Sequence, residues 1–124
     1  MKKIAVFLIF VSVVIAKPID VESIEMFQNL LKQPNKLMVF ELYADWCRAC
    51  RVLKPILTEV SNENQDDSVQ FYRVDIDKLP QIAQAFQARG IPHTAFFKNG
   101  QYLDRLIGVH SREVFEKAIE ILNK

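Results

Sequence analysis

The sequence predicts an α/β domain in which a central mixed β-sheet carries helices on both faces. Two observations support this prediction. Segments with helical and strand periodicity alternate along the chain in the order helix, strand, helix, strand, helix, β-hairpin, helix. The run from Leu37 to Ala44 is apolar except for Glu41, as in a strand covered on both faces. A chain of 124 residues has room for one such domain.

The composition is ordinary for a soluble globular domain, with half of the residues hydrophobic and a quarter charged. The formal net charge is +1, and the 16 basic residues are spread along the chain without a cluster. Domains that bind nucleic acid concentrate Lys and Arg on one face. We therefore expect no nucleic-acid partner.

The N-terminus differs from the rest of the chain. Two lysines precede an apolar run, residues 4–16, with one polar member, and polar character returns at Lys17. The run is shorter than the roughly 20 apolar residues that span a bilayer. A basic start, a short apolar centre and small residues before a polar boundary are typical of a secretory signal peptide. We expect residues 1–16 to be the signal peptide, cleaved after Ala16, and residues 17–124 to be the mature domain.

Two other interpretations of this segment stay open. It fits an uncleaved membrane anchor if its flanks add to its length, and it fits a buried strand or helix of the domain. We expect an exported protein, periplasmic or secreted, with no stable membrane insertion once the signal peptide is removed. Disulfides persist in such compartments.

The first half of the domain supplies two helices and two strands. The first helix is predicted to run from a cap at Asp20 to about Gln33, because apolar residues recur at helical spacing. The strand 37–44 follows it. A second helix continues from the cysteines, with Pro55 inside it, and residues 68–76 predict the next strand.

The third helix is short and is marked at both ends. Pro80 is predicted to open it, because proline is favoured in the first turn of a helix. Ile82, Ala85 and Phe86 are expected to face inward, and Gly90 follows its end.

The C-terminal part predicts a hairpin and a last helix. Asn99-Gly100 between two apolar segments is the strongest short signal for a two-residue hairpin turn. Ser111 is predicted to cap the final helix. Its expected apolar face consists of Val114, Phe115, Ala118, Ile119 and Leu122.

The only two cysteines are Cys47 and Cys50, separated by Arg48 and Ala49. Residues three apart on a helix have Cβ atoms roughly 5–6 Å apart, close enough for a disulfide that opens without unfolding the chain. Because the bond closes so short a loop, it restricts the unfolded chain little. We therefore expect a pair that exchanges electrons rather than a structural staple.

The position of the pair, where a strand gives way to a helix, predicts different roles for the two sulfurs. Unpaired backbone N–H groups and the helix dipole lower the pKa of cysteines at helix N-termini to about 3.5–7.5. Arg48 adds a cation beside Cys47, whereas Cys50 lies one turn further in and is expected to be more buried. We predict that Cys47 is the nucleophile and that Cys50 resolves the mixed disulfide.

Three segments together resemble the thioredoxin family: VFELYADWCRACRVLKPIL, YRVDID and GIPHTAFFKNGQ. A lone C-x-x-C is a weak signal. Here Trp46 precedes it, Pro55 follows five residues after Cys50, and a Gly-Ile-Pro segment precedes the hairpin. The resemblance covers essentially all of residues 20–124 and implies a thioredoxin-like fold and a thiol–disulfide oxidoreductase.

The resemblance also implies a docking surface. The family's proline at the position of Pro92 is cis and lies opposite the disulfide, and the backbone of Ile91 is then available to pair with a substrate strand. Trp46 matches the tryptophan that flanks the family's first cysteine and shapes the surface. The alternatives are an ordinary turn at Pro92 and a core-filling side chain at Trp46.

Glu41 interrupts the strand expected to be most buried. An ionised carboxylate there is costly unless it is paired, so we expect its pKa to be raised. It lies six residues before Cys47, where thioredoxins carry a buried aspartate, and the resemblance implies that it acts as general base for Cys50. The alternative is a structural ion pair with Arg73, which aligns with a lysine typical of the family.

Two positions depart from the family pattern. Arg48-Ala49 replaces the usual Gly-Pro, and His93 replaces a threonine after Pro92. Because cations stabilise the reduced thiolate, Arg48 predicts a pair more oxidising than a typical thioredoxin. His93 is expected to tune the sulfurs in the same way when protonated, or else to be an exposed polar residue.

Two functions of other classes stay open. A carrier of a soft metal such as Cu(I) would use Cys47, Cys50 and His93, but it lacks a third sulfur ligand beside the pair. A non-catalytic interaction module would keep the fold alone. We expect an oxidoreductase with no metal or cofactor beyond the Cys47–Cys50 disulfide. It is predicted to be a monomer that meets protein thiols or disulfides and an upstream redox partner.

Overall fold

The computed structural model describes residues 2–11, 18–64 and 66–124. The strands are β1 (Ile19–Asp20), β2 (Leu37–Tyr43), β3 (Val69–Asp75), β4 (His93–Lys98) and β5 (Gln101–Ile107). The helices are α1 (Ile24–Leu31), α2 (Arg48–Glu63), α3 (Pro80–Ala85) and α4 (Arg112–Leu122). Apart from the short β1, their order is the one predicted from the sequence.

The described strands form one mixed sheet in the order β1-β3-β2-β4-β5. β2 pairs with β3 in parallel and with β4 in antiparallel orientation, so it lies in the middle of the sheet. β4 and β5 form an antiparallel hairpin. The expected mixed sheet is confirmed, and the apolar β2 is its central strand.

Helices cover both faces of the sheet, as predicted. On one face, α1 and α3 contribute Phe27 and Ile82 to a core that includes Phe40 of β2. On the other face, α2 and α4 contribute Leu53 and Phe115 to a second core. Successive residues of a strand point to opposite faces, so β2 supplies side chains to both cores. The cysteines lie where β2 ends and α2 begins.

The first helix begins later than predicted. Asp20 is not its cap, because it lies in β1 beside Arg73 of β3. Ser23 caps α1 instead, and its Oγ accepts a hydrogen bond of 3.0 Å from the N–H of Met26. Asp and Ser are comparable caps. Pairing with β3 keeps the backbone extended through Asp20, and that long-range contact moves the start of the helix.

The third helix begins at Pro80 as predicted, but the prediction that Ala85 faces inward was wrong. Ala85 is exposed, and Ala83 packs against the core instead. The helix ends at Ala85, and Gln87 adopts a φ of 53° just beyond it. A left-handed residue therefore turns the chain three positions before Gly90, and Gly90 follows the end of the helix as predicted.

The hairpin and the last helix are confirmed in outline. Asn99 and Gly100 have φ values of 51° and 78°, as a type I′ turn requires. Ser111 is the N-cap residue of α4, although its side chain makes no capping hydrogen bond. Phe115 is buried as expected, whereas Val114 is exposed and does not belong to the inner face.

The described part of the N-terminal segment, residues 2–11, is not part of the sheet or its helices. Residues 2–11 form no helix or strand, and their large apolar side chains are exposed. A buried strand or helix therefore finds no support there. The expected cleavage site after Ala16 lies outside the described residues. Within the described ranges, no helix has the length and apolar character needed to cross a bilayer.

Candidate active site

Cys47 and Cys50 form a disulfide at the N-terminus of α2. Cys47 is the N-cap residue, and its Sγ accepts a hydrogen bond of 3.1 Å from the backbone N–H of Cys50. The sulfur therefore takes the position that a capping oxygen of Ser or Asp usually occupies. Negative charge on Cys47 is stabilised there by this N–H and by the helix dipole.

The two cysteines differ in burial. Cys47 retains 6% of its surface and Cys50 1%, so the prediction that Cys50 is the more buried is confirmed. Both pack against Ala44, with partly buried Tyr43 and Ile91 beside them. An incoming sulfur meets Cys47 first, because Cys50 lies behind it in the first turn of α2.

The peptide bond between Ile91 and Pro92 is cis, as the family resemblance implied. The carbonyl oxygen of Ile91 lies 3.9 Å from Cys47 Sγ, which places this segment beside the disulfide. The carbonyl oxygen of Pro92 accepts a hydrogen bond of 2.8 Å from the N–H of Gly108, just after β5. The segment is thus held between the disulfide and the sheet, and an ordinary surface turn does not describe it.

Trp46 is exposed over 68% of its surface, which excludes the core-filling alternative. Its Nε1–H donates a hydrogen bond of 2.9 Å to Oδ2 of Asp77, a residue of the turn after β3. Sequence reasoning missed Asp77. The available signal was a carboxylate immediately after a strand whose end adjoins the end of β2. An exposed ring held by one polar bond is suited to contact with another protein.

Glu41 is 2% exposed and lies next to Arg73 on the neighbouring strand β3. Its Oε2 accepts a hydrogen bond of 3.0 Å from Arg73 Nε. Burial raises the pKa of Glu41, and the charge of Arg73 opposes that rise. The predicted rise and the ion pair are both found. The other oxygen, Oε1, is buried without a hydrogen-bond partner among the described residues.

The orientation of Glu41 follows from alternation along β2. Phe40 and Leu42 belong to the core under α1 and α3, so Glu41 points to the face that α2 covers. Lys54 of α2 is close enough to lower the pKa of Glu41 slightly against the effect of burial. Thr94 lies across from it on β4, and its buried Oγ1 likewise lacks a partner among the described residues. Only the register of the two strands reveals this neighbour.

Arg73 makes a second contact besides its ion pair. Its guanidinium lies 3.7 Å from the centroid of the Tyr43 ring, and most of its side chain is buried. A cation over the face of an aromatic ring is attracted to it. Arg73, the counter-ion of Glu41, is therefore held by two contacts.

His93 is 1% exposed, so the alternative of an exposed residue is wrong. It lies on the same face of β4 as Ala95 and Phe97, which belong to the core under α1 and α3. Its Nε2 is 3.0 Å from the hydroxyl of Tyr102. Burial lowers the pKa of His93, and the charge of Arg105 acts in the same direction. Tuning of the sulfurs requires a protonated ring, so this environment counts against that prediction.

Arg48 is exposed at the first position of α2, directly after Cys47.

In the described parts of the chain, no group of three or more His, Cys, Asp or Glu side chains is arranged to hold a metal ion. His93, the third ligand of the copper hypothesis, has one ring nitrogen next to Tyr102 and faces away from α2. The geometry gives that hypothesis no support.

Comparison with known proteins decides the family. The thioredoxin family model matches residues 18–121. The chain belongs to the thioredoxin family. It is 33% identical to an H-type thioredoxin of Brassica oleracea over 101 residues, which are 79% of this chain and 80% of that relative.

Solved thioredoxins share the fold. The crystal structure of thioredoxin from Malassezia sympodialis superposes with a TM-score of 0.78 at 30% identity, covering 87% of this chain and 95% of that one. Oxidised mitochondrial thioredoxin 3 from Saccharomyces cerevisiae gives a TM-score of 0.75 at 30% identity, with coverages of 85% and 95%. The predicted thioredoxin-like fold is confirmed. With its Cys47–Cys50 pair, this member of the thioredoxin family is a thiol–disulfide oxidoreductase.

Proposed function

We propose that this chain is an exported oxidoreductase in which Cys47 exchanges disulfides with client proteins and Cys50 resolves the mixed disulfide. The observation that carries the roles is the position of Cys47 Sγ as the cap of α2, bonded to the N–H of Cys50. In the reduced protein this position favours the thiolate at Cys47 over Cys50. The thiolate is the form that attacks a disulfide.

In the reducing direction, the Cys47 thiolate forms a bond to one sulfur of the client disulfide. The second client sulfur leaves as a thiolate and takes up a proton. Cys50 then loses its proton, attacks Cys47 Sγ and releases the first client sulfur, which also becomes a thiol. The client has gained two electrons and two protons, and the protein carries the Cys47–Cys50 disulfide. The same steps run backwards when the protein oxidises a client dithiol.

Glu41 is proposed to accept the proton of Cys50. Its Oε1 is buried without a partner among the described residues and lies on the face of the sheet that α2 covers. Its raised pKa brings it closer to that of a thiol than an exposed carboxylate would be. Arg73 is proposed to hold Glu41 in place through Oε2 and to keep that pKa from rising further.

Trp46 and Ile91 are proposed to form the docking surface around Cys47. The carbonyl of Ile91 lies beside Cys47 Sγ, so a client strand that pairs with this backbone brings its own sulfur to the reacting atom. Pro92 has no N–H, and its carbonyl is already bonded to Gly108, so Ile91 is the residue left to pair. The proposed partners are protein thiols or disulfides and an upstream redox protein, each met transiently by a monomer.

The roles of the two cysteines are tested by trapping. Cys50→Ser is expected to accumulate mixed disulfides with client proteins, because Cys47 still attacks and nothing resolves the product. Cys47→Ser is the matched control and is expected to trap few or none. The measurement is the amount of covalent complex on non-reducing gels after acid quenching. Equal trapping by both variants would refute the assignment.

Export is supported by the apolar run at the N-terminus, whose described part, residues 4–11, is exposed and belongs to no helix or strand. The test is mass spectrometry of the protein recovered from cells that express the full-length chain. A mature form starting at Lys17 is expected in the exported fraction. Recovery only of a membrane-bound form that retains residues 1–16 would establish an anchor instead.

Arg48 bears on the direction of exchange. A cation beside Cys47 favours the reduced thiolate, so we propose a reduction potential between those of thioredoxin, about −270 mV, and strong oxidants, about −120 mV. Equilibration with defined glutathione ratios measures it. Arg48→Gln is expected to shift the potential to a more negative value, and Lys117→Gln, which removes a distant charge on α4, is expected to leave it in place. A wild-type potential below that of thioredoxin would contradict the proposal.

A further inference from the structure

A cleft of about 740 Å³ opens beside the cis segment, on the face of the sheet opposite α2. It is lined by the segment after α3, including Arg89 and Gly90, by His93 of β4, and by Arg105 of β5. None of the described residues that line it is acidic. Neither the disulfide nor Glu41 belongs to this cleft, so the exchange chemistry does not account for it.

The cleft presents positive charge and hydrogen-bond donors. Arg89 and Arg105 are both exposed and bring two guanidinium groups to its walls. A guanidinium offers a planar set of N–H donors and no acceptor, and this geometry matches a carboxylate. Water accepts hydrogen bonds from these exposed donors when no ligand is present. Two positive charges with no acidic residue among the described lining residues favour an anionic ligand.

His93 contributes a second, independent feature. Its Nδ1 is buried and has no partner in the described parts of the chain. Its Nε2 lies 3.0 Å from the hydroxyl of Tyr102. Burial raises the pKa of Tyr102, and a hydrogen bond from Arg105 and its charge oppose that rise. A cation beside the phenol oxygen favours donation of the phenol hydrogen to Nε2. Nδ1 then carries the ring hydrogen and, being buried, has no acceptor in the described parts of the chain.

The cleft is continuous with the proposed docking segment. Gly90 lines it, and the next residue, Ile91, has its carbonyl oxygen 3.9 Å from Cys47 Sγ. Extended chains advance about 3.3–3.6 Å per residue. A client residue about two positions from the reacting cysteine lies roughly 7 Å from it, a reach that extends past Ile91 towards Gly90 in the wall of the cleft.

We propose that this cleft binds an acidic side chain of the client, an Asp or Glu about two residues from the cysteine that Cys47 attacks. The inference rests on the proposed function and adds a preference among clients to it. The carboxylate pairs with Arg89 and Arg105 while the client backbone lies along Ile91. Clients with such a residue bind with their cysteine sulfur next to Cys47 Sγ.

The test compares two model substrates. Each is a peptide with one cysteine, disulfide-bonded to the uncharged N-acetylcysteine amide, and it carries either Asp or Asn two positions from the cysteine. Both placements, before and after the cysteine, are made. The measurement is the second-order rate constant for reduction by the reduced protein. The Asp peptide is expected to react at least about threefold faster than the Asn peptide in one placement, as one or two partly exposed ion pairs would give.

The variants locate the effect. Arg89→Gln and Arg105→Gln are each expected to bring the Asp-to-Asn rate ratio towards one. Lys117→Gln, which removes an exposed positive charge on α4 far from the cleft, is expected to leave the ratio and the activity unchanged. A wild-type ratio of one in both placements overturns the inference, and so does an equal loss in all three variants. If neither peptide reacts faster with the protein than with a free thiol, the proposed function itself is wrong, and the inference is wrong with it.

Discussion

At the scale of single residues, Glu41 shows how burial controls protonation. Burial raises its pKa above the ordinary value of 4.5, even with Arg73 beside it. The folded chain therefore holds this proton at pH values where the unfolded chain has released it. This bound proton stabilises the folded chain relative to the unfolded one. Its contribution is fully present below pH 4.5 and is lost as the pH rises through the raised pKa of Glu41 in the folded chain. Above that value, the buried charge destabilises the fold.

Glu41→Gln is expected to flatten this pH dependence, because the neutral amide resembles the protonated carboxyl group. Between about pH 4 and pH 8 the variant is expected to lose less stability than the wild type, because the amide cannot ionise, although Arg73 is left without its counter-ion. The measurement is urea unfolding between about pH 4 and pH 8. Glu120→Gln, an exposed glutamate of α4, serves as control. A wild-type pH profile in the Glu41 variant would show that burial does not govern this carboxyl group.

The same substitution separates a proton-accepting Glu41 from a merely structural one. If Glu41 takes the proton of Cys50, Glu41→Gln slows resolution of a mixed disulfide by about 100-fold at neutral pH, the lower range for a general base. The rate is expected to recover at a pH high enough for the thiol to ionise without the help of a base. Single-turnover kinetics with a preformed mixed disulfide measure it. An unchanged rate at neutral pH would mean that Glu41 only forms the ion pair with Arg73 and does not accept the proton of Cys50.

Trp46 depends on a single hydrogen bond to Asp77 for its position. Asp77→Ala removes the acceptor, so the exposed ring is expected to move more freely and the KM for protein disulfides to rise about threefold. Stability should change by less than about 0.5 kcal/mol, because both side chains are exposed. Asp67→Ala, another exposed carboxylate, is the control. A KM equal to that of the control would show that the bond does not organise the docking surface.

At the scale of elements, the start of α2 and the β4–β5 hairpin are both determined locally. The N-terminus of α2 places a capping sulfur where backbone N–H groups gather, and that depends on residues within one turn of each other. The hairpin depends on two residues with positive φ values, 51° at Asn99 and 78° at Gly100. Such short-range requirements can be recognised directly in a sequence.

The turn gives a test at this scale. Gly100→Ala is expected to destabilise the domain by about 1 kcal/mol, because a side chain at a φ of 78° is strained. Gly90→Ala is the matched control, since it lacks a left-handed φ and an added Cβ would meet nothing within 4 Å. Chemical unfolding of both variants gives the comparison. Equal free energies of unfolding would mean that the backbone at Gly100 does not require glycine.

At the scale of the whole molecule, two separate cores hold the helices on the sheet and thereby position the site. Phe115 of α4 and Leu53 of α2 share one core, and Phe27 of α1 and Ile82 of α3 share the other. The cysteines on α2 and the cis segment before β4 belong to different elements. They meet only because both elements are packed against the same sheet.

Phe115→Ala is expected to cost about 3–5 kcal/mol, because it leaves a cavity between α4 and the sheet. Val114→Ala, at the next position but exposed, is expected to cost less than about 1 kcal/mol. Both are measured by urea unfolding monitored by circular dichroism. A small effect at Phe115 would show that α4 is not needed to complete that core.

Residues close in sequence determined much of what could be predicted. Apolar periodicity indicated the helices and strands, the C-x-x-C at a strand–helix junction indicated the redox pair, and one carboxylate in an apolar strand indicated a buried Glu41. These inferences need only the pattern within a few residues, because a helical turn, a cap or a hairpin turn is built from neighbours. The assignment of the family rested on three such patterns occurring in order along one chain.

The tertiary structure alone decided which distant residues meet. Pairing of residues 19–20 with β3 moved the start of α1 away from Asp20. The turn after β3 brought Asp77 to Trp46, 31 residues away in the chain. His93 lies on the face of β4 that points away from α2, so its ring forms part of the wall of the cleft that Arg89 and Arg105 line. Each depends on strand register and on sheet faces, which are set by packing across the whole domain and not by any short segment.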